Sequence, residues 1–67
     1  MNYTVLETQH NSGRGESIRL VVTLEDGTQS TPQYYREATL KETNLRLALR
    51  DAARKAGVDV STLVESA

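Results

Sequence analysis

The clearest alternation of apolar and polar side chains runs through residues 17–24. One face of this segment carries only apolar side chains, namely Ile18, Leu20, Val22 and Leu24. A period of two predicts a β-strand with that face buried. Residues 2–9 alternate more loosely and are predicted to form an edge strand. The intervening segment 10–16 is polar and contains two glycines, so it is predicted to be a flexible hairpin loop.

A turn and a third strand are predicted after residue 24. Asp26-Gly27 is a strong short hairpin signal when it lies between strand-like segments. The third strand is predicted over residues 28–31, and Pro32, which has no amide hydrogen, ends it or confines it to an edge. Tyr34 and Tyr35 either continue this strand or belong to the approach to a helix, and the sequence leaves both alternatives open.

The second half of the chain has helical periodicity. Thr39 and Glu42 have the spacing of a capping box, and Gly57 stands where a C-terminal glycine ends a helix. At about 100° per residue, one apolar stripe faces the predicted sheet. Its members are Leu45, Leu49, Ala52, Ala53 and Ala56. A short closing helix is predicted over residues 59–65, capped by Asp59 or Ser61.

These elements predict a single α+β domain over residues 1–67. A two- or three-stranded antiparallel sheet packs against one long C-terminal helix, and a short terminal helix follows. The long helix is expected to cover the apolar face of the strand at residues 17–24, in a layered arrangement.

Composition makes self-association an expectation. The chain has 67 residues, no cysteine, no tryptophan and no phenylalanine. So short a chain buries only about 60% of its unfolded surface, and disulfides are excluded. A single histidine without thiolates argues against zinc, and no cofactor is indicated. We therefore expect a homodimer or larger homo-oligomer.

No membrane-spanning run and no signal peptide is evident, so a cytoplasmic protein is expected.

Positive charge is concentrated in the predicted long helix. The net charge is −1, but residues 36–57 carry six Lys or Arg against three Glu or Asp. Arg46, Arg50 and Arg54 are spaced by four and are expected to line one edge of the helix. Guanidinium groups in a row suit phosphates or carboxylates, whereas the alternative is a solvated face with intrahelical ion pairs.

Two further features are candidate binding elements. Leu47 lies nearly opposite the apolar stripe, in line with Leu40 seven residues earlier, and both are candidates for a subunit or partner contact. Arg14, between two glycines in the predicted hairpin loop, is a candidate recognition residue. Because this loop joins two strands, the dipole of a helix N-terminus does not assist it in binding phosphate.

No catalytic site is predicted. His10, Ser12, Glu16 and Ser17 are residue types found in hydrolases, but they crowd into one predicted loop without a nucleophile elbow or an oxyanion hole. We therefore expect a protein that is not an enzyme.

Residues 53–63, with Ala53 before the turn, Gly57-Val58 in it and Ser61-Thr62 after it, resemble the middle of a helix-turn-helix of the phage-repressor kind. That resemblance implies a second helix after Gly57, with the residues from Asp59 to Thr62 facing DNA. Residues 58–67 contain no lysine or arginine and two carboxylates, which disfavour phosphate contacts.

The function expected from the sequence is that of a small non-catalytic interaction module. It is of the kind found among bacterial, phage or plasmid accessory and regulatory proteins, and it docks on a protein partner or on itself. The alternative is a nucleic-acid-binding regulator that uses the arginine row. A membrane or small-molecule partner is not indicated.

Overall fold

The computed structural model describes residues 1–66 and has an α+β fold. A four-stranded mixed sheet has the order β3-β2-β1-β4. The strands are β1 (Asn2–Ser12), β2 (Gly15–Leu24), β3 (Gln33–Tyr35) and β4 (Val64–Glu65). The long helix is α1 (Lys41–Ala56), and 3₁₀ turns cover Ala38–Leu40 and Val60–Thr62. None of the helices in residues 1–66 is long and apolar enough to cross a membrane.

The first hairpin is longer than predicted. β1 and β2 pair without a break from Tyr3 opposite Leu24 to Ser12 opposite Gly15. The predicted loop over residues 10–16 is therefore wrong, because only Gly13 and Arg14 lie in the turn. Gly15 has a φ of 112°, and the Ser12 hydroxyl accepts from the Arg14 amide at 3.2 Å, so two residues suffice to reverse the chain.

The third strand lies later in the chain than predicted. The Asp26-Gly27 turn forms, with Gly27 at a φ of 92°. However, residues 28–31 pair with β2 only through one isolated bridge, between Gln29 and Thr23. After it, the Ser30 amide donates to the Val22 carbonyl, but the Ser30 hydroxyl accepts from the Val22 amide in place of a backbone carbonyl, each at 2.9 Å. The strand predicted over residues 28–31 is thus reduced to a single bridge. β3 begins after Pro32 and includes both Tyr34 and Tyr35.

The long helix ends as predicted but begins differently. Gly57 has a φ of 72° and accommodates the left-handed end of α1. The predicted capping box is absent, because Thr39 lies inside a 3₁₀ turn and α1 starts after Leu40 without a side-chain cap.

The predicted closing helix is also wrong, and so is the helix-turn-helix shape. Asp59 caps only a 3₁₀ turn, accepting from the Ser61 amide at 2.9 Å. The chain then forms β4, parallel to the start of β1. Amides of Val64 and Ser66 donate to the carbonyls of Met1 and Tyr3 at 3.0 and 2.8 Å, so main-chain bonding to a free sheet edge replaces helix formation.

The core is a single layer between α1 and one face of the sheet. Leu20, Val22 and Leu24 are buried as predicted, with Ile18 packed at the margin. Leu45, Leu49, Ala52 and Ala56 of the predicted helix stripe also pack there. Ala53 of that stripe is buried outside this cluster and lines a groove on the outer side of α1, whereas Ala48, which was not predicted, is fully buried in the cluster. Small side chains at the contact let the helix approach the sheet closely.

Ala48→Leu tests this close approach. Added methylene groups in a filled contact force the helix and sheet apart, so we expect a loss of about 1–3 kcal/mol in the free energy of unfolding. Urea denaturation measures it. Thr43→Leu, at an exposed position of the same helix, serves as the control and should change stability by less than about 0.5 kcal/mol. Equal stability of the two variants would contradict the close packing of α1.

Candidate functional site

A groove with a volume of about 520 Å³ lies between α1 and the segment that follows it. We call it the arginine groove, and its lining residues are Leu47, Arg50, Asp51, Ala53, Arg54, Val58 and Val60. Gly57 reverses the chain at the end of α1, and the Val58 amide then donates to the Ala53 carbonyl at 3.0 Å. This bond holds residues 58–60 beside the outer surface of the helix.

The groove combines apolar side chains with unequal arginines. Leu47 and Val60 are 47% and 42% exposed. Arg54 Nη2 lies 2.7 Å from Asp51 Oδ1, whereas Arg50 has no ionic partner within residues 1–66. Arg46, one turn earlier, does not line the groove and lies 3.7 Å from Glu42 Oε1. Arg50 therefore offers the most available positive charge of the three.

Asp51 fixes the wall of the groove to the rest of the domain. Its carboxylate accepts from the Thr31 amide at 2.7 Å and lies 3.1 Å from Lys55 Nζ. Its side chain is 15% exposed. The Thr31 amide, followed by the Arg54 and Lys55 side chains, holds the pKa of Asp51 well below its usual range. One carboxylate thus ties α1 to the loop before β3 and orients Arg54.

Asp51→Asn tests this connection. Removing the charge weakens the hydrogen bonds from Thr31 and Arg54 and the ion pair with Lys55, so we expect a loss of about 1–2 kcal/mol in the free energy of unfolding near pH 7. Because the folded pKa is lowered, this stabilisation is complete above the unfolded value of about 4 and is lost as the pH falls toward the folded value. The difference from wild type should therefore shrink at about pH 2.5 in urea titrations.

The control is Glu42→Gln, which removes an exposed ion pair with Arg46 and should change stability little at either pH. A stability difference for Asp51→Asn that does not depend on pH would contradict the assignment of the effect to the carboxylate charge.

A second concavity, of about 680 Å³, lies beside the tip of the first hairpin. We call it the hairpin pocket; its lining includes His10, Arg14, Tyr34, Arg36 and Leu40. Arg36 Nη2 donates to the Arg14 carbonyl at 2.7 Å and joins the hairpin tip to the approach to α1. The rings of His10 and Tyr34 are tilted, with centroids 5.1 Å apart.

The six predicted binding residues do not form one site. Leu47, Arg50 and Arg54 lie together in the arginine groove. Arg14 and Leu40 lie in the hairpin pocket, and Arg46 lines neither concavity. Sequence reasoning missed Val58 and Val60, because it assigned residues 59–65 to a closing helix. The signal available in the sequence was an apolar side chain, Val58, directly after the helix-ending Gly57, with a second one, Val60, two residues later.

Near the middle of β1, Glu7 joins three elements. Tyr35 Oη donates to Glu7 Oε2 at 2.6 Å, and Lys41 Nζ lies 2.6 Å from Glu7 Oε1. The bond from Lys41, followed by that from Tyr35, lowers the pKa of Glu7. Burial, followed by the bond to Glu7, raises the pKa of Tyr35 to about 12. The negative charge of β1 is thus compensated from within the domain.

Comparison of the chain with protein-family models, with curated proteins and with solved structures gives no match. Function is therefore inferred from the geometry of the described residues. Among their surfaces, the arginine groove unites the largest number of predicted binding residues with a shaped concavity.

Proposed function

We propose that the protein is a non-catalytic interaction module that binds a segment of a partner protein at the arginine groove. The bound segment carries an acidic side chain next to an apolar one. The observation that supports this proposal is the position of Arg50, which has no ionic partner within residues 1–66 and lies in one concavity with exposed Leu47 and Val60.

The chemistry of the groove favours such a segment. A guanidinium binds a carboxylate through two parallel hydrogen bonds, which fixes orientation as well as charge. Leu47, Val58 and Val60 offer apolar surface within the same concavity. A partner segment with a carboxylate and an apolar side chain can contact both the guanidinium and the apolar surface of the groove. A purely polar or purely apolar segment can contact only one of the two.

The alternative function is nucleic-acid binding along Arg46, Arg50 and Arg54. Its support is the exposure of the row, since the side chains of Arg46 and Arg54 are 70% and 78% exposed. However, the carboxylate of Glu42 lies beside Arg46, outside the groove, and opposes phosphates at that end of the row. The apolar residues of the groove also have no role on a phosphate backbone. The protein-binding function is therefore preferred.

Selection from a random peptide library displayed on phage tests the proposal without a known partner. We expect enriched peptides to contain Asp or Glu within a few residues of Leu, Ile or Phe. Arg50→Glu should weaken binding of a selected synthetic peptide about tenfold, which corresponds to about 1.4 kcal/mol. Arg46→Glu, the matched control on the same helix, should weaken it less than about twofold.

Three results would contradict the proposal. The first is enrichment of peptides without acidic residues, and the second is equal binding by wild type and Arg50→Glu. The third is tight binding of a duplex DNA probe that Arg46→Glu and Arg50→Glu weaken equally and that falls steeply with salt, as phosphate binding requires. The third result would establish the nucleic-acid alternative instead.

A further inference from the structure

The sheet has a second face that α1 does not cover. The residues of β2 that pack in the core are Leu20, Val22 and Leu24, so the odd-numbered positions from 17 to 23 lie on the opposite face. Residues directly opposite each other in paired strands share a face, which adds the even-numbered positions of β1 and Tyr34 of β3. We call this surface the outer sheet face. Leu6 and Tyr34 on it are 57% and 49% exposed, so no element within residues 1–66 covers them.

Charge is divided between the two faces of the sheet. The acidic residues of β1 and β2 are Glu7 and Glu16, and both lie on the side of α1, since Glu7 pairs with Leu20 and Glu16 is at an even-numbered position of β2. On the outer sheet face, β1, β2 and β3 carry no acidic residue, and Arg19 lies directly opposite Tyr34. This face is therefore positively charged, although the whole chain has a net charge of −1.

Two more arginines adjoin the outer sheet face at the hairpin pocket, where Arg14 and Arg36 line the wall together with Tyr34. Of the eight lysine and arginine side chains of the protein, four are in ion pairs within residues 1–66. The other four are Arg14, Arg19, Arg36 and Arg50, and only Arg50 lies away from this end of the sheet. The bond from Arg36 to the Arg14 carbonyl uses only one of the N–H donors of that guanidinium group.

The ring of Tyr34 remains available for stacking. Its contact with the His10 ring has an interplanar angle of 59°, so the two rings are tilted and the flat faces are not stacked on each other. Glu37 is the one carboxylate among the residues that line the hairpin pocket, and it makes no ion pair within the described part of the chain. An exposed ring thus lies among three arginines that have no ionic partner there.

We infer that the outer sheet face binds a single-stranded nucleic acid at its hairpin end. One base stacks on Tyr34, and the guanidinium groups of Arg14, Arg19 and Arg36 bind the flanking phosphates. The bases of a single strand are exposed for stacking, whereas those of a duplex are already stacked on each other and do not reach a ring on a sheet surface. The site shares no residue with the arginine groove, so the inference does not depend on the function proposed for that groove.

An acidic protein segment fits this surface less well. Its carboxylates would pair with the three arginines, but they offer no planar group to the ring of Tyr34. Every unit of a nucleic acid carries both a phosphate and a planar base. The juxtaposition of one ring with several guanidinium groups therefore matches a nucleic acid of any sequence, and only the rare acidic segment with an aromatic residue in the right place.

Fluorescence anisotropy with labelled oligo(U) and oligo(dT) of about ten nucleotides tests the inference, at about 50 mM salt. Tyr34→Ala should weaken binding at least about fivefold, because a base stack is lost. Tyr34→Phe keeps the ring and should bind within about twofold of wild type. Because Tyr34 is exposed, both variants should remain folded, which circular dichroism checks.

Salt dependence tests the role of the arginines. For a single strand, the logarithm of the association constant falls against the logarithm of the salt concentration with a slope of about −0.7 per phosphate contacted. Arg14→Gln and Arg19→Gln should each make this slope less negative by about 0.7. Arg50→Gln, the matched control in the arginine groove, should leave the slope unchanged.

Four results would overturn the inference. The first is no binding of either oligonucleotide at about 100 µM protein, and the second is equal affinity of wild type and Tyr34→Ala. The third is a change of slope for Arg50→Gln as large as that for Arg14→Gln, which would place the strand along the arginine row of α1. The fourth is competition by poly-glutamate as strong as that by unlabelled oligonucleotide, which would assign the face to an acidic protein. Binding of oligo(U) alone would identify the ligand as RNA, and binding of both oligonucleotides would extend it to DNA.

Discussion

The rest of the structure depends on the contact between α1 and β2. Ala48 and Ala52 meet Leu20 and Val22 in a single apolar layer, and all four side chains have no exposed surface. A chain of this length covers one face of one sheet and little more. Within residues 1–66, the outer side of the helix and the outer edge of β1 beyond Tyr3 therefore lie outside this layer.

The sequence predicts well those elements in which the spacing of apolar side chains follows the buried face. Ile18 to Leu24 alternate, and the stripe from Leu45 to Ala56 follows a helix, because both faces belong to that layer. The elements it predicts poorly are fixed by main-chain bonds between distant residues. β4 depends on the carbonyls of Met1 and Tyr3, and the path before β3 depends on Ser30. None of these bonds leaves a periodic signal in the sequence.

The candidate site is likewise predicted where it depends on local spacing and missed where it depends on contacts between distant residues. Helical spacing is local, so Arg50 and Arg54 were predicted to lie along one edge of the helix, and both line the groove. Leu47, predicted as a separate contact in line with Leu40, lines the same groove. The opposite wall of the groove, formed by Val58 and Val60, depends on how the chain turns after Gly57. The pattern of apolar and polar side chains gives no information about that turn. Arg14 and Leu40 are far apart in sequence and meet at the hairpin pocket only because β3 carries the chain back beside the hairpin tip.

The central claim of the account is that the arginine groove binds a partner segment through Arg50 and the apolar side chains around it. NMR titration of the protein with a selected peptide that carries an acidic and an apolar side chain tests this claim most directly. The account predicts that the amide signals of Leu47, Arg50 and Val60 shift on binding, while those of residues 5–11 in β1 do not. Shifts confined to residues outside the groove would contradict it.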